Sequence, residues 1–95
     1  MITHIVFFKL KDSSPENVQK TRDVLVSMEG KIPQLKFLEV GIDVVRSERS
    51  FDLALTAKFD SLEDLQAYND HPVHQEVLQY IAGVKDVTVA VDYES

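Results

Sequence analysis

The 95-residue chain contains no cysteine and no tryptophan, and only three glycines and three prolines. Without thiols there are no disulfides, no thiolate nucleophile and no thiolate metal site, and the composition fits a reducing compartment. The three glycines stand far apart, at Gly30, Gly41 and Gly83. A phosphate-cradling glycine loop is therefore excluded. Basic charge is also scarce: ten Lys and Arg face sixteen Asp and Glu, a formal net charge of −6. Counterion-release binding to nucleic acid needs clustered cations, and none are clustered here. The acidic surface offers equally little to an anionic membrane. The apolar start, ITHIVFFKLK, is too short to span a bilayer and lacks the basic region and cleavage site of a secretory signal. These features lead us to expect a single cytoplasmic domain over residues 1–95, with no nucleic-acid or membrane partner.

What remains is a globular composition, 44% hydrophobic and 27% charged. A chain this short buries only about 60–65% of its unfolded surface, so a partner copy would add considerably to its stability. Residues 2–11 are β-branched and aromatic. Ile2, His4, Val6, Phe8 and Leu10 share one face, while Ile5 and Phe7 make the other face partly apolar, which predicts a strand covered on both sides. Ser14-Pro15-Glu16 has the chemistry of a helix start. Val18, Leu25, Met28 and Ile32 follow at helical spacing until Gly30 and Pro33 end the segment.

Leu35 to Val45 alternates as a strand, and Arg46 to Ser50 reads as a hairpin loop. Phe51, Leu53, Leu55, Ala57 and Phe59 form the inward side of a return strand. Ser61 caps a second helix that Pro72 interrupts; it resumes to about Ala82, with Gly83 closing it. Val84 to Tyr93 is a last alternating strand. The order β-α-β-β-α-β predicts a ferredoxin-like α+β fold, a four-stranded antiparallel sheet with its helices on one face. The apolar second face then calls for a second copy of the chain, sheet to sheet, as a homodimer.

Two of the three histidines lie in Tyr68-Asn69-Asp70-His71-Pro72-Val73-His74. On a helix of 3.6 residues per turn, Val77, Leu78 and Ile81 fall within about 60° of His74, so the imidazole points inward. A buried imidazole needs a hydrogen-bond partner. It is then either a satisfied core residue or the working base of a site. Tyr68 and His4 face the same way, so the three rings could share one apolar cavity. His71 precedes proline and is pushed out of the helical region. It either closes the helix end or touches a ligand. His4, His71 and His74 lack the usual zinc spacings, so no metal is expected.

ITHIVFFKLKD, FDLALTAKFDSLEDLQAY, the HPVH turn and VTVAVDYE together resemble the stress-responsive dimeric α+β barrel (Dabb) family nearly end to end. The resemblance implies the same fold and a dimeric barrel without a cofactor. The family includes a plant polyketide cyclase that carries out an intramolecular aldol condensation. By motif match, the resemblance implies His74 as base, Tyr68 as its helper and His4 as a third cavity group. His71, Val6, Phe8, Leu25 and Met28 are candidate ligand contacts around these three. Where that cyclase has aromatic side chains on its first helix, this chain offers Val24, Leu25 and Met28.

The function expected is a cofactor-independent lyase, cyclase or isomerase acting on a small polyketide-like or carbonyl compound. The alternatives are a non-catalytic binding or stress-response protein of small apolar or aromatic ligands, and a cofactorless monooxygenase of the related barrel type.

Overall fold

The computed structural model describes residues 1–95. Its elements are β1 (Ile2–Leu10), α1 (Pro15–Val26), β2 (Phe37–Ile42), β3 (Leu53–Phe59), α2 (Leu62–Asp70), α3 (Pro72–Val84) and β4 (Lys85–Glu94). The strands form one sheet in the order β2-β3-β1-β4, and every neighbouring pair is antiparallel. This is the expected ferredoxin-like α+β arrangement, with the interrupted helix standing as two.

The helix starts form as their sequences dictate. Ser14 Oγ accepts from the Asn17 backbone N–H with Pro15 at the first helical position, and Ser61 Oγ accepts from the Asp64 N–H. Such caps are worth about 1 kcal/mol each. The core lies between the helices and one sheet face. Ile2, Phe8, Leu10, Leu53, Leu55, Ala57 and Phe59 from the strands meet Val18, Leu25, Leu65, Tyr68, Val77 and Ile81 from the helices. The other face is open in the single chain. Phe7, Phe37, Val87, Val89, Val91 and Tyr93 are all 43–52% exposed there.

Four local expectations are corrected. The second strand stops at Ile42 rather than Val45, and Val44 and Val45 are exposed. The Asp43 N–H still donates to the Asp52 carbonyl at 2.9 Å, but its carboxylate accepts from the Arg46 N–H at 2.7 Å, which turns the chain there with Arg46 at a positive φ of 59°. Helix α1 ends at Val26, and Met28 and Ile32 are buried from the turns that follow, around Gly30 at φ 78°. Gly83 does not close α3, which runs through it to Val84; Lys85 caps it in an extended conformation and enters β4 directly. Phe51 leaves the inward row and packs on Phe7 of the open face, ring centroids 5.9 Å apart.

The shift of Phe51 turns Asp52 inward. Asp52 is 6% exposed, and its carboxylate accepts from the Leu10 N–H at 2.8 Å. Its own N–H donates to the Phe8 carbonyl. A side chain thereby completes the end of the β1 ladder. No helix is long and apolar enough to cross a membrane.

Candidate functional site

The centre of the site is the break between α2 and α3. Pro72 has no N–H to give the Tyr68 carbonyl, and the His71 N–H takes that place at 3.2 Å. His71 sits at φ −65°, ψ 138°, ending one helix and capping the next. Its Nδ1 accepts from the Val73 N–H at 3.1 Å. In an unbroken helix that N–H would have gone to the Asn69 carbonyl. The freed Asn69 carbonyl instead accepts from His74 Nδ1–H at 3.1 Å and from Gln75 Nε2–H at 2.7 Å.

A carbonyl oxygen can only accept, so this bond places the proton of neutral His74 on Nδ1. Nε2 is left with a free lone pair. His74 is 9% exposed. Burial pushes its pKa below the ordinary 6.5, with His4 and His71 adding to the fall while the Asn69 bond opposes it. The imidazole is accordingly a neutral base at pH 7.

Beside it lies a cavity of about 290 Å³ walled by His4, Val6 and Phe8 of β1, Leu25, Met28, Leu55, Asn69, Thr88, and His74, Val77, Leu78 and Ile81 of α3. Six of the expected residues, His74, His4, Val6, Phe8, Leu25 and Met28, meet in that wall. Tyr68 and His71 are not part of it. Tyr68 lies behind the wall, 1% exposed, with its ring centroid 4.3 Å from that of His74, 4.9 Å from Phe59 and 6.2 Å from His4. Its hydroxyl donates to Met28 Sδ at 3.8 Å, and burial raises its pKa. Tyr68 therefore stays a neutral phenol.

Three polar groups of the site escaped the sequence reading. Asn69 is one and Thr88 another, both in the wall. The third is Asp92, whose carboxylate receives a hydrogen bond from His4 Nδ1. His4 and Asp92 are direct partners in the β1–β4 register, and such a register is invisible without knowing which strands pair. Asn69 had a detectable signal, because a proline three residues on disturbs the carbonyls of the preceding turn. No three His, Cys, Asp or Glu side chains are grouped as metal ligands. A larger hollow of about 440 Å³ lies on the open face near Phe7, Phe51, Asp43 and Arg49, away from the histidines.

Sheet, helices and a histidine-bearing cavity between them define a small α+β barrel-type domain of ferredoxin-like fold. The chain belongs to the stress responsive A/B barrel domain (Dabb) family, which it matches over residues 2–95. It is similar to a dimeric ferredoxin-like protein of unknown function from Thermobifida fusca, with 32% identity and a TM-score of 0.87 covering 99% of this chain and 90% of that one. A dimeric protein of unknown function from Bacteroides fragilis follows at 30% identity and TM-score 0.85, covering 99% and 95%. The hydroxynitrile lyase of Passiflora edulis superposes with a TM-score of 0.83 over 97% of this chain and 90% of that one. At 20% identity, that last likeness is one of fold.

Proposed function

We propose that the protein is a cytoplasmic homodimer that binds a small apolar carbonyl compound in the His74 cavity and moves a proton on it without a cofactor. The observation that carries this reading is the state of His74: a buried neutral imidazole, Nδ1–H held by Asn69 and Nε2 unprotonated, in the wall of a mostly apolar cavity. Nε2 takes the proton from the carbon next to the carbonyl. The electron pair left behind moves onto the carbonyl oxygen as an enolate. That enolate either regains a proton, which is isomerisation or exchange, or adds to a second carbonyl of the same molecule, which is an aldol cyclisation. A positioned base of this kind contributes about 10²–10⁴-fold.

His4, tied to Asp92, is a polar anchor at the strand side of the cavity. The Tyr68 ring holds His74 in place and keeps water from its back. At about 290 Å³ the cavity suits a ligand smaller than a typical drug. Two facts support the dimer: the exposed apolar sheet face, and the dimeric state of the similar Thermobifida and Bacteroides proteins. The apolar lining also favours a second reading, in which the cavity holds a small molecule without turning it over.

Deuterium exchange from solvent into a panel of phenyl ketones and β-keto compounds tests the first reading. At least one compound should exchange faster with the protein, and His74→Gln should remove at least about 10²-fold of that rate. Exchange that is absent, or indifferent to His74→Gln, sinks the catalytic reading. Saturable binding without exchange supports the second.

A further inference from the structure

A proton-transfer site needs a donor for the oxygen on which charge develops as well as a base. The Tyr68 phenol, implied by the resemblance as helper of the base, is set behind the cavity, with its hydroxyl spent on the Met28 sulfur. Asn69 is in the wall, beside His74. The hydrogen bonds at Asn69 that hold His74 and Gln75 come to its backbone carbonyl, and its carboxamide makes none within the chain. Residue 69 is the next-to-last of α2, fixed by the His71–Pro72 break.

We infer that the Asn69 carboxamide is the specificity-determining donor of the cavity, giving its Nδ2–H to the carbonyl oxygen of the bound ligand. The inference rests on the function proposed above and narrows the ligand class to compounds with a hydrogen-bond-accepting carbonyl attached to an apolar body. One residue then serves both halves of the site. Its main chain orients the base, and its side chain holds the oxygen. A substitution at 69 removes the second task and leaves the first, because the carbonyl that receives His74 Nδ1–H belongs to the backbone.

The test uses the full chain and two probes built on the same phenyl ring and two-carbon chain, acetophenone and ethylbenzene, which differ in the carbonyl oxygen, titrated by NMR. The wild type should prefer acetophenone by about tenfold, the worth of one modest hydrogen bond. Asn69→Leu should bind ethylbenzene as the wild type does while losing the preference, which also shows that its cavity is intact. Asn69→Gln should keep part of it. Equal binding of the two probes by the wild type overturns the inference and leaves the cavity reading standing. A preference that survives Asn69→Leu and vanishes in Thr88→Val or Tyr68→Phe overturns it by naming another donor. If neither probe binds the wild type, the proposed function fails for this ligand class, and the inference falls with it.

Discussion

His74 Nδ1–H donates to the backbone carbonyl of Asn69 across the His71–Pro72 break, at 3.1 Å. The imidazole is held by main chain, so its tautomer depends on a helix interruption and on no other side chain. Burial, against the pull of that bond, favours the neutral form, and this has a measurable cost in acid.

His74 in the folded protein has a pKa lowered from 6.5, whereas in the unfolded chain it titrates near that value. Below about pH 6.5 the unfolded state therefore binds a proton that the folded state refuses. This contribution to stability is complete above the unfolded value. It is lost as pH falls from about 6.5 toward the folded pKa. The unfolding midpoint of the wild type should thus drop further than that of His74→Leu between pH 7.5 and pH 5.5, both at one protein concentration. Parallel pH profiles for the two proteins would contradict the assignment of His74 as a buried neutral group.

Tyr68→Phe should change stability by less than about 1 kcal/mol. The hydroxyl is bonded only to a thioether, and its removal strands no strong polar partner. Tyr68→Ala should cost about 3–5 kcal/mol, because it empties a core position against Phe59 and His74. Chemical denaturation of the two variants separates ring from hydroxyl. A Phe variant as damaged as the Ala variant would mean that the phenol has a stronger partner than sulfur.

Asp52→Ala should destabilise the fold by about 1–3 kcal/mol, since the buried Leu10 N–H loses its acceptor. Hydrogen exchange should show the loss as faster exchange at Leu10, with little change at the far end of β1. Uniform acceleration along the strand would argue against this local role.

Val91→Glu places a carboxylate on the open sheet face, where Val91 is 52% exposed in the single chain. If that face pairs two copies, the dimer dissociation constant should rise at least about a hundredfold, because an unpaired buried charge costs several kcal/mol. Sedimentation equilibrium reads this directly. A variant that associates like the wild type would put the dimer interface elsewhere.

Much of this molecule was readable in advance because short-range rules decide it. Ser14 with Pro15, and Ser61 ahead of Asp64, start helices by capping chemistry that no distant contact overrules. The inward aim of His74 follows from helical spacing alone. What escaped depends on competition or on pairing. Asp43 keeps its backbone bond to Asp52, but its carboxylate binds the Arg46 N–H and turns the chain away after it, which shortened β2. Phe51 took an aromatic partner on the far face, Phe7, and that gave Asp52 its buried place. His4 and Asp92 meet through a strand register that neither local sequence encodes. The direction of the Tyr68 hydroxyl was equally hidden, since it turns on which core atom lies within reach.

The bond that orients the His74 imidazole spans five residues, whereas the contact between His4 and Asp92 joins positions 88 apart. Closing a short loop costs far less entropy than closing a long one, and local contacts form early in folding. The two halves of the site therefore belong to different stages of the molecule's assembly. The imidazole can find its orientation while the chain is still open, but the chamber beside it exists only once the first and last strands have met.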